Sequence, residues 1–135
     1  MKNYLLITAL FFSFSLIKAQ ENDGVSNGAS YMQVDYIKTV PGKNYGQILN
    51  EKWAKLAEKR IKEGTIVGWD AWWNMNSTDE SNHDILLVTL LSHIDSIGAG
   101  AGIKRAFPEM TDDEVAEFNK KNREARKIVN TTIYK

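Results

Sequence analysis

From residue 31 the chain alternates, with Met32, Val34 and Tyr36 set against Gln33, Asp35 and Ile37, until Pro41-Gly42 interrupts. A period near two is that of a strand with two unlike faces, so residues 31–40 are predicted as a first strand. The period then changes. Tyr45, Ile48, Leu49, Trp53, Leu56, Ala57 and Ile61 recur at spacings of three and four, between Asn44, suited to an N-cap, and Gly64, suited to a left-handed C-terminal residue. One amphipathic helix is expected over 44–64.

Residues 66–75 are rich in β-branched and aromatic side chains, and after a polar turn over 76–82 the run 84–93 is nearly continuous Ile, Leu and Val. These predict strands two and three of an antiparallel hairpin, the third central in its sheet and apolar on both faces. Residues 95–110, with Gly98, Gly100 and Gly102, form a long connection holding one short helical turn. Thr111-Asp112-Asp113-Glu114 is a capping box, and Val115, Phe118, Asn122, Ala125 and Val129 mark one face of a second helix. Lys120, Lys121, Arg123, Arg126 and Lys127 then suit the negative end of that helix dipole. Residues 128–134 supply a last strand. The order β-α-β-β-α-β in an α+β chain predicts a ferredoxin-like arrangement, two helices over one antiparallel sheet.

The first 30 residues have a different grammar. Lys2, an apolar run over 4–17 and Lys18-Ala19-Gln20 read as a cleavable signal peptide over residues 1–20. The run is about 14 residues where a membrane span needs about 20, so export to the periplasm or beyond is expected, with no stable membrane anchor. Residues 21–30 are polar and read as a disordered spacer, leaving 31–135 as a single domain. The absence of cysteine removes disulfides, thiolate metal sites, sulfur nucleophiles and a lipidated N-terminal cysteine. Without Lys2 and Lys18, 15 basic residues face 17 acidic ones, a net charge of about −2 that does not favour nucleic acid. Lys52, Lys55, Lys59, Arg60 and Lys62 crowd the first helix, but Glu51 and Glu58 are interspersed, as on a solvated face.

Candidate chemistry is sparse. Trp69, Trp72 and Trp73 with Asp70 form the most unusual cluster, and alternation sends Trp69 and Trp73 to one face, Asp70 and Trp72 to the other. These tryptophans, with Tyr36 of the first strand, are the candidate ligand contacts, because indoles combine large apolar area with a donor. His93 closes the third strand and is a candidate general base, with Asp35 or Asp70 as its acidic partner and Gln33 beside Asp35. One imidazole makes no selective metal site, and His83 in the polar turn is expected to be solvated. Gly98-Ala99-Gly100-Ala101-Gly102 misses both phosphate-cradling and dinucleotide spacings, and no G-x-S-x-G elbow fixes a serine, so no cofactor is expected.

Val40-Pro41-Gly42-Lys43, then Tyr45, Glu51 and Trp53, then residues 58–64 and Gly68-Trp69, resemble exported bacterial members, of unassigned activity, of the dimeric α/β-barrel superfamily. That superfamily includes antibiotic-biosynthesis monooxygenase-like, EthD-like and NIPSNAP-like domains, and the resemblance covers roughly residues 31–93. It implies two ferredoxin-like sheets pairing as a homodimer. Oxygenases, lyases and haem-binding proteins share the fold, and no motif around their functional histidines recurs here, so the resemblance implies no reaction. The expected function is an exported homodimer holding a small apolar or aromatic ligand between subunits. One alternative is a cofactor-independent enzyme of monooxygenase, dehydratase or isomerase type; another is a structural or partner-binding module of the cell envelope.

Overall fold

The computed structural model describes residues 28–135, so the expected signal peptide and residues 21–27 of the spacer lie outside the described residues. Strand β1 (Tyr31–Thr39) starts as the alternation begins, and the Ser30 amide just before it already donates to the Leu91 carbonyl at 2.9 Å. Gly42 at φ 77° and Asn44 at φ 47° turn the chain into a helical segment. Asn44 does not cap it in the expected way: its own backbone is left-handed and its side-chain Nδ2 donates to Gln47 Oε1 at 3.1 Å. The segment is also not one regular helix. It consists of α1 (Tyr45–Ile48), a π-helical turn (Leu49–Trp53) and α2 (Ala54–Lys62). Gly64 at φ 70° ends it and lets the Thr65 amide return to the Arg60 carbonyl at 2.9 Å.

Strands β2 (Gly68–Trp73) and β3 (Ile85–Leu91) form the expected antiparallel hairpin. Two short 3-10 turns, Ile94–Ser96 and Ile103–Arg105, punctuate the long connection. Helix α3 (Asp112–Ala125) opens on the expected capping box, with the Thr111 amide donating to Glu114 Oε2 at 2.7 Å and the Glu114 amide donating to Thr111 Oγ1 at 3.3 Å. It ends sooner than expected. Arg126 is already extended, the Ala125 carbonyl accepts from the Val40 amide at 2.9 Å, and Arg126, Lys127 and Val129 belong to β4 (Arg126–Tyr134). The β-branched run from Ile128 to Ile133 favours a strand, and β1 is there to pair with it.

All pairings in the four-stranded sheet are antiparallel, in the spatial order β2-β3-β1-β4, so β1 and β3 are central. A bulge between Tyr36 and Ile37 leaves Val129 of β4 without an opposite residue. Both helical elements pack on one face. Ile37, Ile85 and Leu87 meet Tyr45, Leu49 and Ala125; Leu91 and Ile66 meet Ala57; Leu56, Ile103 and Phe118 join the helices to the connection. Burying each Ile, Leu or Phe side chain among these stabilises the fold by about 1.5–3 kcal/mol. One expected member of the helical stripe is displaced: Ile61 is 42% exposed while Arg60 is 8% exposed. The buried line runs through Leu56 and Ala57, and Arg60 lies four and three residues beyond them, whereas Ile61 only flanks it. No helix among the described residues is long and apolar enough to cross a membrane.

Candidate functional site

Because side chains alternate along a strand, the helix-facing set is fixed by pairing: Asp35 lies opposite Leu87 and Thr131, Gln33 opposite Thr89 and Ile133, and Trp69 opposite Thr89. Of these, Gln33, Asp35, Trp69, Leu87 and Thr89 floor a cavity of about 150 Å3 between the sheet and the helical segment. Tyr45, Trp53 and Arg60 form its wall on the helical side, Arg126 and Ile128 contribute from β4, and Gly98 and Ala101 of the long connection complete the lining. A π-helical turn shifts the phase of residues beyond it relative to those before it. Here Tyr45 before the turn, Leu49 at its start, and Leu56 and Arg60 after it all reach the interior.

Three side chains are locked by visible partners. Asp35 accepts from Gln33 Nε2 at 2.9 Å through one carboxylate oxygen and from Thr131 Oγ1 at 2.5 Å through the other. Asn122, buried on α3, accepts from Trp53 Nε1 at 3.0 Å and from Arg126 Nε at 3.4 Å. The Arg126 guanidinium carbon also stands 5.6 Å from the centre of the Tyr45 ring, within cation–π range.

Two side chains are not satisfied in this way. Tyr45 is 2% exposed and its hydroxyl has no hydrogen-bond partner; Arg60 is 8% exposed and its Nε has none either. Burial pushes the Tyr45 phenol up to about 12, with the Arg126 charge opposing and the Asp35 charge adding to the rise. It is therefore a neutral donor at physiological pH. Burial, and then the charge of Arg105, lower the Arg60 guanidinium from its usual value, yet an arginine stays protonated in a protein. Among the described residues no ion pair includes Arg60, and nearby Glu63 is taken by Arg105 at 2.5 Å and Lys59 at 3.3 Å. A buried polar atom without a partner costs about 1–3 kcal/mol, more for a charged group. Two of them on one cavity call for an explanation.

The residues singled out from sequence are divided by the sheet. Asp35 and Trp69 line the cavity with Gln33. Trp73 is on the same face but at its margin, 52% exposed, its ring 3.3 Å from where a Cβ on Gly46 would stand. Asp70, Trp72 and Tyr36 are on the opposite face, with Asp70 paired to Val88 and Trp72 to Leu86. Asp70 is exposed and, among the described residues, accepts only the neighbouring Ala71 amide at 2.7 Å. His93 lies beyond the last residue of β3, exposed, and does not line the cavity. The pairs His93 with Asp35 and His93 with Asp70 thus share no enclosed space. His83, expected to be solvated, is half-buried and stands edge-on to Tyr36, ring centres 5.2 Å apart.

Sequence reasoning passed over Tyr45, Arg60 and Arg126 as functional residues. Tyr45 served as a marker of the helical face and Arg60 was grouped with the basic surface, and both entered the family resemblance without a functional role. A signal existed: Arg60 falls three and four residues after Ala57 and Leu56, a cation on the apolar stripe. The sequence matches no protein-family model, and no curated protein is a significant match to it.

Proposed function

We propose that the protein is an exported domain that pairs with a second copy through the open face of its sheet and binds a small apolar or aromatic ligand. The observation that carries the binding reading is the cavity between sheet and helices. Ligand sites combine apolar and aromatic walls with a few convergent polar groups, and here Trp53, Trp69 and Tyr45 supply the walls. A cavity of about 150 Å3 is large enough for a benzene ring. The ligand then sits within each subunit, under the helices, and not between the two sheets.

The pairing rests on the other face. Met32, Leu86, Val88 and Leu90 are half-covered on it around a buried Val34, and Trp72 is 61% exposed. Contiguous apolar surface of this kind marks an interaction site, and a two-fold pairing lets one patch serve both partners. The spatial order β2-β3-β1-β4 with both helices on one side is compatible with a ferredoxin-like arrangement whose sheets close into a dimeric barrel. Export rests on residues 1–20 alone.

Native mass spectrometry of protein purified from its own host tests both parts. A dimer carrying a retained small organic molecule is the expected species. Ligand-free protein that also fails to bind small aromatic compounds overturns the binding reading, and a monomer at micromolar concentration in sedimentation overturns the pairing.

A further inference from the structure

The two buried side-chain polar atoms that lack partners among the described residues, Tyr45 Oη and Arg60 Nε, belong to residues lining the same cavity. That coincidence is informative. Native proteins leave few such atoms, and an unmatched pair at one cavity points to a missing partner.

The charge balance gives the chemistry of that partner. Two guanidiniums, Arg60 and Arg126, line the cavity with one carboxylate, Asp35. Asp35 has committed one oxygen to Gln33 and the other to Thr131, and Arg126 already donates to Asn122 and faces the Tyr45 ring. What remains unsatisfied is donor capacity: Nε of the Arg60 guanidinium and the hydroxyl of Tyr45. A guanidinium presents its donors in a planar fork that matches a carboxylate. The walls beyond are indole and phenol, and the volume accommodates one six-membered ring with a short substituent.

We infer that the ligand is a small aromatic carboxylate, its carboxylate received by the Arg60 guanidinium with the Tyr45 hydroxyl as second donor and its ring against Trp53 and Trp69. This rests on the ligand-binding reading above. It also gives the buried Arg60 a role: a cation held apart from Glu63, which Arg105 and Lys59 engage, and kept free for an incoming anion.

The test compares benzoate with benzyl alcohol, nearly equal in size and different in charge, on the full mature chain. Binding is read by calorimetry and by the 15N-edited NMR signal of the Arg60 Nε–H. The expected result is benzoate binding at least about tenfold tighter, with the Arg60 signal moving on benzoate addition. Arg60→Met is expected to abolish that preference, and Tyr45→Phe, which keeps the ring and removes only the hydroxyl, to weaken benzoate by about three- to tenfold. Should Arg60→Met fail to fold, Tyr45→Phe and the Arg60 signal decide. Equal binding of the two compounds, or benzoate binding that leaves the Arg60 signal and the Tyr45→Phe affinity unchanged, overturns the carboxylate while leaving an aromatic pocket standing. Binding of neither at millimolar concentration overturns both.

Discussion

The two faces of the sheet are built from alternate residues of the same strands, yet they have opposite fates. On the helix side Ile37, Ile85 and Leu91 are fully buried, and polar groups are drawn in among them: Asp35, Thr89, Arg60 and Asn122. On the open side Met32, Leu86, Val88 and Leu90 are only half covered, Val34 alone is buried, and Trp72 stands out. The face that holds the fold together is thus also the one that carries unsatisfied polar chemistry. The open face is apolar along its central strands without being packed, and polar toward its edges at Asp70, Asn130 and Thr132. The packed core and the candidate cavity share one side of the sheet, and the proposed pairing would use the other.

The comparison can be broken most directly by truncating one side chain on each face of β3. Leu91→Ala removes a fully buried side chain that packs with Ala57 and Ile66, and a loss of about 2–5 kcal/mol is expected. Val88→Ala, on the half-covered open face, is expected to cost about 1 kcal/mol or less in the monomer. Urea unfolding of both variants under monomeric conditions measures the difference. Equal losses would mean that the open face is as well packed as the helix side.

A second contrast is electrostatic. Asp84, next to the open-face hairpin end, accepts from the Thr39 amide at 2.8 Å, Thr39 Oγ1 at 2.7 Å, Lys38 Nζ at 3.0 Å and the Ser77 hydroxyl. Burial raises its carboxyl, but the hydrogen bonds from Ser77, Thr39 and Lys38 outweigh it and hold the group well below the usual carboxylate range. A depressed value in the folded state means that its contribution is present above the unfolded value of about 3.9 and lost as pH falls below it toward the folded value. Asp84→Asn is expected to cost about 1–3 kcal/mol at neutral pH and to flatten the fall in stability below about pH 4. Denaturant melts at pH 7 and pH 3 check this, and an unchanged acid limb would remove Asp84 from the account.

How much of this was legible in the sequence depended on range. The capping box at Thr111 and Glu114, the left-handed Gly64 and the period-two strands are set by neighbours within a few residues, and the chain states them openly. Alternation likewise separated Trp69 and Trp73 from Asp70 and Trp72, because parity along a strand needs no tertiary information. The π-helical turn did not announce itself, since Leu49–Trp53 reads as ordinary helix until the interior it must fill is known. The end of α3 was hidden for a similar reason: Arg126 and Val129 fit a helical stripe, and pairing with β1 decides against it. Of the site, Asp35 and Trp69 were visible as unusual residues in strands, whereas Tyr45 and Arg60 looked like helix filler. Their meaning lies in the partners they lack, which only the packed interior defines.

The smallest expected effect probes the border between the two faces. Gly46 sits inside α1, where glycine is worth about 0.8–1 kcal/mol less than alanine, so Gly46→Ala gains that much from backbone propensity. The new Cβ would stand 3.3 Å from two ring atoms of Trp73, closer than most real contacts. Trp73 is 52% exposed at the margin of the sheet, so its ring can give by a few tenths of an ångström, but in doing so it surrenders part of its contact with the helix. The two effects oppose and are of similar size, so a net change within about 0.5 kcal/mol is expected, accompanied by an altered Trp73 environment. Thermal melts with near-ultraviolet circular dichroism separate the parts. A loss above about 1.5 kcal/mol would mean that Trp73 is held as rigidly as the buried face behind it, and the boundary between packed and unpacked sheet would have to be drawn further out.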